Sequence, residues 1–108
     1  MGGLINVTVD RPIGYVNKYG TLYPINYGYV KNIFAGDGKE QDAYIVSNKV
    51  KEPIESFEGV LIAIIKRHDD VEDKWVISSP GETYTEEEIY NKVAFIERHF
   101  DTTVILMG

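Results

Sequence analysis

Residues 23–42 read YPINYGYVKNIFAGDGKEQD, and this stretch decides how the rest of the chain is interpreted. Its first half gathers three tyrosines around Asn26 and Gly28, and its second half carries a GDG turn that presents the carboxylate of Asp37. Asp42 follows at the beginning of an apolar strand, AYIV at residues 43–46. Hydroxyls and carboxylates around a permissive glycine predict a polar pocket for a hard cation and an oxyanion. The structural alternative is a tyrosine-rich β-hairpin with a solvated acidic turn.

Length and composition describe one folded domain, residues 1–108. A chain of 108 residues with 44% hydrophobic and 12% aromatic residues can bury a single core, so we do not expect disorder. The absence of cysteine excludes disulfides and zinc–thiolate sites and favours a cytoplasmic location. The first residues lack the basic and apolar regions of a signal peptide, and no apolar run reaches the length of a membrane span. We therefore expect no membrane partner.

The charge balance argues against one class of partner. Seventeen acidic residues against eleven basic ones give a net charge of −6. Proteins that bind nucleic acid usually present a basic face to the phosphate backbone, and no basic cluster is visible here, so we expect no nucleic-acid partner. An acidic excess is compatible with divalent cations and equally with simple solubility.

Hydrophobic patterning predicts a small sheet structure. Alternating or continuous apolar residues mark six candidate strands, and turn-forming or charged connections separate them. The run GVLIAII at residues 59–65 is apolar without interruption, so we expect it to lie at the centre of the sheet, buried on both faces. The predicted strands cover residues 4–9, 26–34 with a break at Gly28, 42–46, 59–65, 75–78 and 102–107.

One helix is predicted late in the chain. Thr85 and Glu88 form the capping-box pattern at its start, and Tyr84 before the cap can pack on Ile89. An apolar stripe follows at helical spacing: Ile89, Val93, Ile96 and Phe100. Short strands and one late helix predict a mainly β (α+β) fold, a five-stranded, OB-like, partly open barrel with one C-terminal helix packed on it.

Four motifs occur in an order that carries a family resemblance. They are Asp10-Arg11, the YPINYGY segment at residues 23–29, the DGKEQD segment at residues 37–42 and an acidic loop at residues 69–74 that ends in a lysine. This order resembles that of the soluble family I inorganic pyrophosphatases, of which the chain would be a small, divergent member. The tyrosine motif followed by the acidic turn at this distance is more specific than either motif alone.

The resemblance implies an activity and a cofactor. It implies hydrolysis of inorganic pyrophosphate to phosphate by a metal-activated water, with Mg²⁺ as the cofactor, in a homo-oligomer. Pyrophosphate is a compact polyanion, so attack by water requires that its charge is neutralised and that hydroxide is available near neutral pH. Magnesium held by carboxylates supplies both effects, and cationic side chains hold the phosphates.

The resemblance also implies roles for single residues. Asp42 and Tyr27 would be catalytic, with Tyr27 hydrogen-bonded to phosphate near the metal. The implied phosphate-binding residues are Arg11, Tyr27 and Lys74. The implied metal ligands are Asp37 and Asp42, together with acids of the later loop, Asp70, Glu72 or Asp73, of which Glu72 and Asp73 are alternatives for the last metal position.

Two positions depart from the family pattern and support an alternative function. Lys39 stands where the family has an aspartate close to the attacking water, and Glu40 stands where it has a proline. A positive charge at a metal-ligand position favours a non-catalytic module of the same fold that binds a phosphate or nucleotide, or that only self-associates. From the residues alone, Arg11 can equally pair with a surface acid, and Asp37 can serve only to form the turn. The acids of residues 69–73 can likewise form a solvated loop and nothing more.

Overall fold

The computed structural model describes residues 3–107, which form six strands and one helix. The elements in chain order are β1 (Ile5–Arg11), β2 (Tyr27–Phe34), β3 (Glu40–Ile45), β4 (Ser56–Arg67), β5 (Asp73–Ser78), α1 (Glu86–Glu97) and β6 (Thr102–Leu106). Each predicted strand and the predicted helix therefore occurs, with bounds that differ slightly from those expected.

Five of the strands close into a ring. The order is β1-β2-β3-β5-β4, and β4 pairs back with β1, while β6 adds to β4 outside the ring. The β3–β5 pair is parallel and the other pairs are antiparallel. β4 can hold three partners because it is 12 residues long, so its first residues pair with β1 and its later ones with β5 and β6. The mainly β, OB-like five-stranded barrel with one packed helix is confirmed, and the β1–β4 pairing closes the barrel that we expected to be partly open.

Alternation of side chains along the strands builds two hydrophobic cores. One fills the barrel interior and draws on all five ring strands, with Val7, Ala43 and Ile77 fully buried. The other lies outside the barrel, between the sheet and α1. Its buried members are Tyr23, Tyr27, Tyr44, Val46, Ala63, Ile65, Val76, Ile89, Val93 and Val104. Because β3 alternates, Ala43 points into the barrel while its neighbour Tyr44 faces the helix.

The side chains of β4 pack into different hydrophobic cores in its first and second halves. The register with β5 shifts between Leu61 and Ala63, which is the signature of a β-bulge. Leu61 consequently packs with the barrel interior, whereas Ala63 and Ile65 pack under the helix. The predicted central position is confirmed by the three partners of β4. The predicted burial on both faces is incomplete, because Val60 and several other residues of the run are only half-buried.

The helix begins where the sequence predicts. The Glu88 backbone N donates to Thr85 Oγ1 at 3.1 Å, and the Thr85 backbone N donates to Glu88 Oε1 at 2.8 Å, so both halves of the capping box are present. Ile89 and Val93 are fully buried against the sheet. No helix in residues 3–107 is long and apolar enough to cross a membrane.

The predicted break of β2 at Gly28 is wrong, because Gly28 lies within the strand and pairs with β1. A Cβ at this position would lie 1.9 Å from the backbone O of Thr8 and 2.8 Å from the Cα of Val9. These are backbone atoms of the paired strand β1, so no side-chain rotation can relieve the overlap. Only glycine lets the two strands approach this closely.

We therefore expect Gly28→Ala to lower the free energy of unfolding by about 3 kcal/mol, because the methyl group must push β1 away from β2. Gly3→Ala is the matched control, since a Cβ there meets no atom within 4 Å, and it should change the value by less than about 0.5 kcal/mol. Urea denaturation followed by tryptophan fluorescence measures both. Equal stability of the two variants would contradict the close approach of β1 and β2.

Candidate active site

The parallel pairing of β3 with β5 sets a carboxylate beside an ammonium group. Ala43 lies opposite Trp75, so the residues that precede them, Asp42 and Lys74, are neighbours across the two strands. Ala43 points into the barrel, and alternation therefore turns Asp42 toward the outer face that also carries Tyr44. The register of one strand pair thus brings together two side chains that are 32 positions apart in the chain.

The Lys74 ammonium donates hydrogen bonds to two carboxylates. Its Nζ lies 2.5 Å from Oδ2 of Asp42 and 2.6 Å from Oε1 of Glu72. The Lys74 side chain is 6% exposed, whereas 32% of the Asp42 side chain and 24% of the Glu72 side chain remain accessible. A nearly buried cation is thereby neutralised by two acids that are themselves partly open to solvent.

The hydroxyl of Tyr27 adjoins Asp42. Burial raises the pKa of Tyr27, and the negative charge of the nearby Asp42 carboxylate raises it further, while Arg11 acts in the opposite direction. The phenol therefore remains protonated at neutral pH. In this pocket Tyr27 is a hydrogen-bond donor and not a base.

Arg11 is positioned by aromatic side chains. Its Nη1 donates a hydrogen bond to the Tyr23 hydroxyl at 2.8 Å. The guanidinium also lies 5.5 to 5.9 Å from the ring centroids of Tyr15, Tyr23 and Tyr27, within the range of cation–π attraction. None of the carboxylates in residues 3–107 comes within 4 Å of it. Arg11 is consequently a fixed cation whose charge is available to an anion.

The acidic turn at residues 36–38 lies against the later acidic loop. A Cβ on Gly36 would come within 3.2 Å of the Val71 backbone O, which measures how closely the two segments approach. The hydrogen bond that Asp37 accepts from the Lys39 backbone N at 3.0 Å is the largest cause that lowers the pKa of this carboxyl. The turn that carries Asp37 therefore lies beside the loop that carries Glu72, although the sequence separates these two acids by more than thirty positions.

These side chains line a single pocket of about 700 Å³ between the outer face of the sheet and the end of α1. Its charged lining residues are Arg11, Asp37, Lys39, Asp42, Arg67, Glu72 and Lys74. Its other lining residues are Asn17, Tyr19, Thr21, Tyr23, Tyr27, Tyr44, Ile96, His99 and Phe100. Of the eight residues to which the sequence gives a site role, this pocket gathers six: Arg11, Tyr27, Asp37, Asp42, Glu72 and Lys74.

The other two predicted site residues, Asp70 and Asp73, do not line the pocket. Asp70 Oδ1 accepts a hydrogen bond from the Val71 backbone N at 2.6 Å, and its Oδ2 lies 3.7 Å from Arg67 Nη1. Asp73 Oδ1 lies 3.8 Å from Lys66 Nζ. Both carboxylates are engaged within their own hairpin, so Glu72 is the acid of this loop that faces the pocket.

Within residues 3–107 there is no group of three or more histidine, aspartate or glutamate side chains arranged to hold a metal ion. The Lys74 ammonium lies between Asp42 and Glu72, within hydrogen-bond distance of both. The chemistry of the donor set nevertheless fits magnesium, which prefers carboxylate oxygens. Asp37 and Glu72 line the same pocket, where a bound cation would offset the repulsion between their carboxylates.

A buried ion pair next to the pocket was not predicted from the sequence. Glu97 of α1 is 0% exposed, and its carboxylate accepts hydrogen bonds from Arg67 Nε at 3.1 Å and Arg67 Nη2 at 2.7 Å. The hydroxyls of Tyr44, at 2.6 Å, and Thr102, at 2.8 Å, complete its partners. One signal was present, because Glu97 follows Val93 by four positions and so occupies the apolar helix face, where a carboxylate requires a partner.

This ion pair connects the helix to the pocket wall. Burial alone would raise the pKa of Glu97, but the hydrogen bonds from Arg67, Tyr44 and Thr102 outweigh it and bring the pKa below its ordinary value of 4.5. Glu97 is therefore ionised at neutral pH. The Arg67 guanidinium also lies 3.7 Å from the centroid of the Phe100 ring, and both residues line the pocket.

Comparison with solved structures relates this fold to one group of enzymes. The inorganic pyrophosphatase from Neisseria gonorrhoeae matches with a TM-score of 0.63 and 19% identity, covering 99% of this chain and 82% of that one. The Helicobacter pylori enzyme gives 0.63 and 14% over 98% and 83% of the two chains, and the Thermus thermophilus enzyme gives 0.62 and 16% over 98% and 81%. No family model matches the sequence, and no curated protein is similar to it. The chain therefore has the fold of inorganic pyrophosphatases, and similarity at these identities establishes the fold alone.

We expect Glu97→Gln to lower the free energy of unfolding by about 3 kcal/mol at pH 7, because it leaves the Arg67 charge buried without its partner. The folded-state pKa of Glu97 lies below the unfolded value, so this stabilisation is present above about pH 4.5 and is lost as the pH falls further. The difference between wild type and variant should therefore shrink in acid. Urea denaturation from pH 7 to pH 3 tests this, with the exposed Glu58→Gln as the control. A difference that is independent of pH would show that the Glu97 charge is not its source.

Proposed function

We propose that the chain hydrolyses inorganic pyrophosphate to phosphate in this pocket, with Mg²⁺ as the cofactor. The observation that carries the proposal is the convergence of cations and carboxylates in one pocket of a fold shared with inorganic pyrophosphatases. Arg11 and Lys39 have no carboxylate within 4 Å among the described residues, while three acids supply oxygen donors nearby. A polyanion and a hard cation would each find partners there.

The phosphate groups would be bound by side chains that are already positioned. The Arg11 guanidinium, held by the Tyr23 hydroxyl and by three aromatic rings, offers a planar set of donors suited to phosphate oxygens. The Tyr27 hydroxyl remains protonated and can donate to a phosphate oxygen beside Asp42. Because these groups are fixed before the anion binds, little side-chain entropy is lost on binding.

Asp37, Asp42 and Glu72 are the residues that would hold Mg²⁺, since they are the carboxylates of the pocket. When bound, Mg²⁺ neutralises phosphate charge and lowers the pKa of a water molecule, so that hydroxide is available near neutral pH. Asp42 has the central position, because it accepts a hydrogen bond from Lys74 and lines the same pocket as Tyr27 and Arg11.

We expect Asp42→Asn to reduce Mg²⁺-dependent phosphate release from pyrophosphate by at least about 100-fold, since it removes one of few charged oxygen donors. Asp69→Asn is the control: it makes the same chemical change at an exposed position outside the pocket lining and should keep wild-type activity. A colorimetric phosphate assay with and without Mg²⁺ measures both. Full activity in Asp42→Asn would refute the proposed centre.

One observation favours a second function, a phosphate- or nucleotide-binding module without catalysis. Two lysines, Lys39 and Lys74, line the part of the pocket where the acids lie, and Lys74 already neutralises two of the three carboxylates. A pocket with this charge can hold an anion without a metal. The parent protein would then release no phosphate from pyrophosphate but would be stabilised thermally by phosphate or a nucleotide.

Lys39→Asp distinguishes the two functions. It replaces a pocket cation by a fourth oxygen donor, so under the second function we expect Mg²⁺-dependent phosphate release to appear in a previously inactive protein. Lys31→Asp, an exposed charge reversal on β2 outside the pocket lining, is the control. Phosphate release by the parent, with no gain in Lys39→Asp, favours hydrolysis as the native function.

A further inference from the structure

The least exposed charge that reaches into the pocket is the ammonium of Lys74. Its side chain is 6% exposed, and its Nζ lies 2.5 Å from Asp42 and 2.6 Å from Glu72. These are two of the three carboxylates to which the proposed function gives Mg²⁺. The chain therefore supplies a cation of its own at the position where a divalent ion would bind.

The two cations cannot both occupy this position. Asp42 and Glu72 are brought together by their hydrogen bonds to one Nζ, so a divalent ion between them would adjoin the ammonium at contact distance. Like charges at such a separation repel strongly, and the partly buried surroundings screen them less than water does. Binding of one cation therefore requires that the other leaves.

We propose that Lys74 is an internal counter-ion that competes with Mg²⁺ for Asp42 and Glu72, so that the metal binds only by releasing the ammonium. The inference deepens the proposed function and takes from it the identity of the metal. It explains why Asp42 of β3 and Glu72 of the later loop can lie close together, because the lysine offsets their repulsion. It also gives Lys74 a role that precedes any contact with phosphate, since it sets how tightly the pocket holds its metal.

The first test compares metal affinity in the absence of phosphate. Lys74→Met keeps most of the side-chain length but removes the charge. Isothermal titration with Mg²⁺ alone should show that this variant binds the ion at least about tenfold more tightly than wild type. This factor corresponds to the free energy of one hydrogen bond to a charged group. Lys66→Met is the matched control. Lys66 belongs to the same hairpin and pairs with Asp73 at 3.8 Å, but it is 51% exposed and lies outside the pocket lining. It changes the net charge equally and should leave Mg²⁺ affinity within about twofold of wild type, because exposed charges are screened.

The second test uses the wild-type protein and needs no substitution. Mild acetylation followed by mass spectrometry reports how accessible each lysine is. If Mg²⁺ releases the ammonium, acetylation of Lys74 should become several-fold faster as Mg²⁺ is added, while acetylation of the exposed Lys66 stays constant. This measurement decides the question even if Lys74→Met does not fold.

The outcomes separate this inference from the proposed function. The competition is overturned if Lys74→Met binds Mg²⁺ no more tightly than Lys66→Met, or if Lys74 stays equally protected when wild-type protein has bound Mg²⁺. Tighter binding in Lys74→Met together with faster acetylation of wild-type Lys74 supports it, even in a protein that hydrolyses no pyrophosphate. Conversely, hydrolysis by wild type without either effect would leave the proposed function intact and remove the competition alone.

Discussion

The register between β3 and β5 is the constraint on which the pocket depends. These are the only two strands of the described barrel that run parallel, and their pairing sets Asp42 directly beside Lys74. A shift of one residue would turn Asp42 into the barrel interior and its apolar neighbour Ala43 out toward the pocket. The register is fixed by burial, because Ala43, Ile45 and Ile77 must all face the interior core. Hydrophobic packing inside the barrel thus positions the charges outside it.

The pocket is held on its helix side by a different kind of contact. The Glu97–Arg67 pair joins the last turn of α1 to the end of β4, and the Tyr44 hydroxyl joins both to β3. Such a pair adds little net stability compared with apolar side chains of similar size, because burying the charges costs nearly what their attraction returns. It does fix geometry, since any displacement of the helix would leave a buried charge unpaired. The rigid wall that results carries Arg67 and Phe100 at the pocket surface.

Much of this fold could be predicted from local patterns. The capping box at Thr85 and Glu88 and the alternating strands depend on neighbours in the sequence, and both occur as expected.

The candidate site was predicted less completely. Six of its eight residues share one pocket, because their motifs lie on strands that pair directly or on the turns beside them. The pocket-facing acid of residues 69–73 could not be identified from the sequence, because four of these five positions carry equivalent acidic side chains. The backbone path of the hairpin decides this: Glu72 faces the pocket, whereas Asp70 and Asp73 contact Arg67 and Lys66 of the same hairpin.

By itself, the sequence determined the strands, the helix and its cap, and the residue types available for binding an anion and a cation. These features follow from periodicity and from chemistry that acts over a few residues. The tertiary structure alone decided that the barrel closes, that Gly28 must pass against Thr8, and that Glu97 finds Arg67. It also decided that Lys74 sits between two carboxylates where a metal was expected. The physical reason is that an ion pair or a close backbone contact depends on distance in space. Gly28 and Thr8, Glu97 and Arg67, and Lys74 and Asp42 are separated by 20, 30 and 32 positions in the chain.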